Sequence, residues 1–175
     1  LAREEDFELN NSLDLACGIG RHSLELAKRG LKITGIDISE RYIEEAKKRA
    51  EQLDPGENVR FQVGDMRKLS SQFSEKKFNG ILNLFTSFGY YDDQTNKDVL
   101  KQSAKIVKPG GYFVMEIKNR DWLIKNFDEK SFNRYEDWFV LEKRDFNYDR
   151  SRMEQEWNYF QKTDGHYQLL KEIYI

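Results

Sequence analysis

In Asp14-Leu15-Ala16-Cys17-Gly18-Ile19-Gly20 a carboxylate precedes a glycine-rich turn, and a second carboxylate, Asp37, closes the next apolar run. Glycines let backbone approach a ligand closely, and a carboxylate beyond a strand end can accept hydrogen bonds from both hydroxyls of a ribose. The pair therefore points to an adenosine. A nicotinamide dinucleotide would lay its pyrophosphate on the glycine turn, where amides at a helix N-terminus hold anions. Asp14 opposes that placement, because its charge would repel a pyrophosphate but attract the ammonium of a methionine moiety. Ser23 also takes the third position of Gly18-Ile19-Gly20-Arg21-His22-Ser23, where a dinucleotide turn needs Gly or Ala for close helix packing. The sign of the charge favours S-adenosylmethionine.

These groups need strands and helices to hold them. Leu13 to Ala16 reads as a buried strand, and Leu24, Ala27 and Leu31 place a helix from Arg21 onward, with Gly30 just past its end. Lys32 to Ile36 is a second strand. Ser39 caps a helix with Ile43, Ala46, Ala50 and Leu53 on one face and Glu44, Lys47 and Lys48 in solvent, stopped by Pro55-Gly56. Val59 to Val63 is a third strand, a polar connection runs through Gln72, and Phe78 to Phe85 is a fourth, apolar enough to be buried on both faces. Asp93 or Thr95 caps a helix carrying Val99, Leu100, Ile106 and Val107, which Pro109-Gly110-Gly111 ends before a fifth strand, Tyr112 to Ile117. Strands alternating with helices imply a doubly wound, mostly parallel α/β sheet with its ligand crevice at the strands' carboxyl ends.

After Asn119 the pattern changes to aromatic-rich runs, Phe139 to Phe146, Arg152 to Phe160 and Tyr167 to Ile175, with Asp164-Gly165 as a two-residue hairpin turn. This predicts two regions, a ligand-binding core over residues 1–118 and an appended antiparallel lid over residues 119–175 that covers the crevice. Trp138, Phe139, Phe146, Trp157, Tyr159 and Phe160 are read first as core of that lid, and His166 as an exposed hairpin residue.

With 29 Lys and Arg against 31 Asp and Glu, the net charge of -2 lacks the basic excess of a nucleic-acid binder. No apolar run approaches the roughly 20 residues that cross a bilayer, and Leu1 to Glu8 is charged rather than signal-like. Cys17 is the lone cysteine and His22 and His166 the only histidines, so neither an internal disulfide nor a His/Cys metal site is expected. A reducing, cytoplasmic setting follows as the default.

Leu13 to Gly20 resembles the first motif of class I, Rossmann-like S-adenosylmethionine-dependent methyltransferases, and Gly35-Ile36-Asp37-Ile38-Ser39 resembles their second. Gly64-Asp65-Met66 looks like the adenine-binding segment, and Asn83-Leu84-Phe85-Thr86-Ser87-Phe88-Gly89-Tyr90 is similar to the fourth-strand loop of the small-molecule enzymes. Lys108-Pro109-Gly110-Gly111 matches their turn before the fifth strand. The resemblance covers about two-thirds of the chain in family order. It implies that Asp14 and Gly18 shape the methionine end, Asp37 holds the ribose, Asp65 accepts from the adenine amino group, and Ile38 and Met66 sandwich the ring. Asn83 and Phe85 would lie beside the sulfonium, with Ala16, Cys17, Gly20, Gly64 and Leu84 completing the cofactor-binding set. Ala16 departs from the family's usual Gly, a replacement expected to be tolerated. Ile175 falls short of the family's closing antiparallel pair, so the chain is expected to lack those strands.

Methyl transfer from a sulfonium is an in-line displacement that desolvation and alignment can carry, so a dedicated base is optional. Tyr90 and Tyr91, with Asp92 and Glu116, are the nearest base candidates for a hydroxyl or amine acceptor. No Pro-Pro-Tyr follows Asn83, which argues against adenine or glutamine N-methylation, and Cys17 in the glycine turn is badly placed for a cytosine C5 nucleophile. Duller readings stand beside each residue: Asp37 as a helix cap, Asp14 as a buried structural carboxylate, Asp65 as a turn residue, Asn83 as a backbone partner. The expected acceptor is a small molecule. The competing readings are a non-catalytic S-adenosylmethionine-binding sensor or partner subunit and a nucleotide-linked oxidoreductase, and RNA or protein methylation stays open, since the near-neutral charge disfavours a nucleic acid only weakly.

Overall fold

The structure, a computed structural model, describes residues 9–53 and 56–174. The expectations for Leu1 to Glu8, Pro55 and Ile175 lie outside the described residues. The chain divides between Ile117 and Lys118 into two compact units.

The first unit runs β1 (Asn11–Leu15), α1 (Arg21–Lys28), β2 (Lys32–Asp37), α2 (Glu40–Leu53), β3 (Val59–Val63), α3 (Leu69–Gln72), β4 (Phe78–Asn83), α4 (Asp93–Ile106) and β5 (Val107–Met115). All five strands are parallel, in the order β3-β2-β1-β4-β5. The order reverses between β1 and β4, which is where such a sheet opens a crevice. Alternation along β1 then sorts its side chains by face. Leu13 and Leu15 join Ile36, Phe78, Ile81 and Ile106 in one core layer, while Asp14 faces the other way and meets Ser23 of α1. Leu24, Ile43, Ala46 and Phe61 form a second layer between α1, α2 and β3. Burial of each large apolar side chain contributes about 1.5–3 kcal/mol, so the two layers dominate the stability of this unit.

Several boundaries differ from the sequence reading. The fourth strand stops at Asn83 rather than Phe85, because Phe85 and Thr86 take φ of 56° and 57°, which no strand accommodates. The connection after Gly64 is not irregular throughout: a 3-10 turn, Met66–Lys68, leads into α3, whose Leu69 is fully buried. The cap of α4 is Asp92, not Asp93 or Thr95. Its carboxylate accepts from the Thr95 amide at 2.9 Å and the Thr95 hydroxyl at 2.7 Å. Pro109-Gly110-Gly111 does not separate helix from strand. It lies inside β5, where Phe78 pairs with Val107 and Gly80 already with Tyr112, so the intervening residues bulge out with Gly110 at φ 78°. Leu53, placed on the buried face of α2, and Leu100, placed on that of α4, are exposed, because Ile43 and Ala46 in α2 and Val99 and Ile106 in α4 already fill those faces.

The second unit runs α5 (Arg120–Lys125), β6 (Lys130–Arg134), β7 (Trp138–Asn147), β8 (Arg152–Thr163) and β9 (His166–Tyr174), an antiparallel meander in that strand order. The sequence reading did not foresee α5 or β6: both are short, and β6 carries a single aromatic residue, Phe132. Asp164 and Gly165 both take positive φ, 52° and 82°, the geometry of a two-residue type I′ hairpin. Phe139 and Phe160 face each other across β7 and β8 with ring centroids 4.7 Å apart. Phe146 is buried, whereas Trp138 is exposed and stacks on Tyr135. Arg144 ion-pairs with Glu142 and also bonds to the Ser131 hydroxyl, fastening β6 to β7. Among the described residues, no helix is long and apolar enough to cross a membrane, and no cluster of His, Cys, Asp and Glu could hold a metal ion.

Candidate functional site

A cleft of about 530 Å³ opens at the carboxyl ends of the first unit's strands. It is built from the turns that leave β1, β2, β3 and β4, so four separate loops supply its walls. After β1 the chain must reverse tightly into α1. Ala16, Gly18 and Gly20 all adopt left-handed φ, at 56°, 55° and 80°. For Gly18 a Cβ would meet nothing within 4 Å, so its surface is open to a ligand. Gly20 serves packing, since a Cβ there would stand 2.6 Å from the Phe61 ring. Ala16 bears a left-handed strain that glycine would avoid, of roughly 1–2 kcal/mol.

Asp37 ends β2 and spans two turns. One carboxylate oxygen accepts from the Gly18 amide at 2.9 Å and the other from the Ser39 amide at 2.9 Å. Its role as a local backbone partner is therefore real, yet it also lines the cleft, and each oxygen retains acceptor capacity. Asp14 is 2 % exposed and accepts from the Ser23 hydroxyl at 2.5 Å. Burial pushes its carboxyl up to about 6, against the Ser23 bond, and Asp37 adds repulsion. Burial, with Asp14 and Asp37 beside it, also pushes the Cys17 thiol far up, which disfavours its thiolate form.

At the end of β3, Gly64 sits where a Cβ would come within 2.6 Å of Gln72 Oε1, and Asp65 and Met66 follow along the wall. Asp65 accepts from the Arg67 amide at 2.9 Å and ion-pairs with the Arg67 guanidinium at 2.7 Å, which holds it below the usual carboxylate range. On the opposite wall, Phe85 is 65 % exposed and lies under the Arg21 guanidinium, 4.7 Å from ring centroid to Cζ. The strained Phe85 and Thr86 backbone is stapled by Glu116: the Phe85 amide donates to the Glu116 carboxylate at 3.0 Å, and the Thr86 amide to its carbonyl at 3.2 Å. Held outliers of this kind cluster at functional sites.

Of the residues singled out in the sequence, Asp14, Ala16, Cys17, Gly18, Asp37 and Ile38 line this cleft together with Gly64, Asp65, Met66, Leu84, Phe85, Tyr90 and Tyr91. Gly20 and Asn83 do not. Asn83 is wholly buried behind the wall, its Nδ2 donating to the Leu15 carbonyl at 3.2 Å, with Oδ1 unpaired. Asp92 is occupied as the α4 cap and Glu116 as the loop staple. Burial and the nearby Asp37 raise the Tyr90 phenol further above its ordinary value, a poor direction for a base at neutral pH. The sequence reading did not name Arg21, Tyr42 and Ser87 as lining residues. Arg21 could have been found, since it follows the glycine turn directly. Tyr42 reaches the cleft only because α2 begins beside Ile38, and no local pattern signals that.

The chain is similar to several known proteins. The putative methyltransferase YqeM of Bacillus subtilis is 28% identical over 128 residues, 71% of this chain and 49% of that protein. A ubiquinone biosynthesis O-methyltransferase of Coxiella burnetii is 33% identical over 110 residues, 63% of this chain and 44% of that protein. The chain thus spans about half the length of these relatives. Its fold matches an S-adenosylmethionine-dependent methyltransferase of Clostridium acetobutylicum with a TM-score of 0.76 at 21% identity, over 98% of this chain and 68% of that one. The methyltransferase domain family matches residues 13–111, the strands and turns that build the cleft, and the chain belongs to that family.

Proposed function

We propose that this chain binds S-adenosylmethionine in the cleft of its first unit and transfers the methyl group to a small-molecule acceptor. The observation that carries the reading is the Asp37 carboxylate, oriented by the Gly18 and Ser39 amides at the mouth of a cleft that also holds Asp14. Asp37 is suited to accept from the ribose hydroxyls with its free lone pairs, and the open surface over Gly18 leaves room for the methionine portion. Asp14 sets a negative potential beside that turn, which suits an ammonium and a sulfonium and disfavours a pyrophosphate. Ile38, 60 % exposed, and Met66 offer apolar surface for the two faces of the adenine, with Asp65 at its edge. Ala16, Cys17, Gly64, Leu84 and Phe85 complete the wall, and Gly20 and Asn83 support it from behind.

Bound S-adenosylmethionine supplies an electrophilic methyl group and a neutral thioether leaving group. The protein's contribution is to exclude water and align the acceptor, effects that together are worth roughly 7–11 kcal/mol when the geometry is good. Phe85 provides an exposed apolar surface for that purpose. Tyr90 and Tyr91 serve as acceptor-orienting groups in this scheme, with no general base required. A small acceptor is favoured by the relative named for ubiquinone biosynthesis and by the near-balanced charge. A cytoplasmic setting is consistent with a single, packed cysteine.

Calorimetric titration of S-adenosylmethionine and S-adenosylhomocysteine into the wild type and Asp37→Ala tests the reading. Each lost charge-assisted hydrogen bond should weaken binding by about 1.5–3 kcal/mol. No binding by the folded wild type would refute the assignment.

A further inference from the structure

The carboxylate at the end of β3 is already occupied by the protein itself. Asp65 Oδ1 accepts from the Arg67 amide at 2.9 Å and from Arg67 Nε at 3.0 Å, and Oδ2 accepts from Nε at 3.0 Å and Nη2 at 2.7 Å. Three N–H groups of one arginine thus make four contacts with the carboxylate, two at each oxygen, with Nε shared between them. The same guanidinium lies 4.8 Å from the ring centroid of Tyr91, a cleft residue from the loop after β4. The turn beneath is pinned at both ends: Gln72 Nε2 donates to the Asp65 carbonyl at 3.0 Å, and Gln102 of α4 donates to the Arg67 carbonyl at 2.5 Å.

We propose that Arg67 is a positioning residue for purine recognition, holding the Asp65 carboxylate in one rotamer at the cleft wall. This rests on the S-adenosylmethionine reading above. The consequence is specificity for a purine whose N–H donor stands at the 6-position, as the adenine amino group does. A 6-oxo purine presents a carbonyl there and carries its N–H at N1 instead, so it pairs with a carboxylate fixed at the 6-position only if the ring shifts or the carboxyl takes up a proton. Arg67 opposes that protonation, because its own hydrogen bonds favour the ionised form. The planar fork matters as well as the charge, since a lysine ammonium cannot reproduce the bidentate geometry.

The test is calorimetric binding of S-adenosylhomocysteine and its hypoxanthine counterpart to wild type, Arg67→Gln and Arg67→Lys. The wild type should prefer the adenine ligand by roughly tenfold or more. In Arg67→Gln that preference should collapse, chiefly through weaker adenine binding, and Arg67→Lys should restore it only in part. A preference unchanged in Arg67→Gln overturns the proposal, as does equal weakening of both ligands, which marks a purely structural role. A wild type that binds both ligands equally removes the Asp65 assignment and this inference with it. A wild type that binds neither removes the cofactor reading itself.

Discussion

Replacing Asp14 with Asn should make the protein more stable at neutral pH, relative to its behaviour in acid. Asp14 is 2 % exposed, and its carboxyl rises from an ordinary 3.8 to about 6 because burial penalises the charge. A folded-state value above the unfolded one means the folded protein binds this proton more tightly. The stability it contributes is fully present below about pH 3.8 and is lost as pH rises through about 6. At about 1.36 kcal/mol per unit of pH the complete loss is roughly 3 kcal/mol, of which about 2 kcal/mol falls between pH 4.5 and 7.5. Asparagine has no proton to lose, so its packing and its bond with Ser23 shift stability by an amount independent of pH. The difference between Asp14→Asn and wild type should therefore move in the variant's favour by about 2 kcal/mol from pH 4.5 to 7.5. Urea denaturation followed by far-ultraviolet circular dichroism is the suitable assay, because α1, α2 and α4 lie in the first unit while Trp122, Trp138 and Trp157 all lie in the second. A difference that stays flat with pH, or runs the opposite way, would refute the claim that desolvation dominates at Asp14. The same substitution should weaken S-adenosylmethionine binding, since it removes the charge proposed to attract the ammonium.

Ala16→Gly should stabilise the first unit by roughly 0.5–1 kcal/mol, the left-handed strain relieved at φ 56° less the added freedom of glycine in the unfolded chain; an unchanged or lower urea midpoint would contradict this. Asp92→Ala should cost about 1 kcal/mol by uncapping α4, while Asp93→Ala, one residue on, should cost less than half as much; paired denaturation curves decide between them.

Local chemistry made much of this protein legible in its sequence. Glycines at 18 and 20 can take the left-handed turn out of β1, the apolar run from Leu13 marked that strand, and Asp164-Gly165 can form only a narrow class of hairpin. Those signals depend on residues within a few positions of each other, so they survive without knowledge of the fold. The parallel order followed from strands alternating with helices, and with it the expectation of a crevice at the carboxyl ends.

Tertiary structure decided what depends on distant partners. Phe85 reads as an apolar strand residue by sequence, yet it leaves the strand because Glu116, 31 positions later, captures its amide. Asn83 reads as a cleft residue, yet it turns to the Leu15 carbonyl, 68 positions away, and ends behind the wall. Asp65 reads as an adenine acceptor or a turn residue; Arg67, which occupies it, is a near neighbour, but the Tyr91 ring that this guanidinium covers comes from the loop after β4 and is not signalled by the local pattern. A sequence pattern reports the period and chemistry of neighbours along the chain. Which groups are left to face the cleft is set by hydrogen bonds that close only when β1, β4 and β5 have come together.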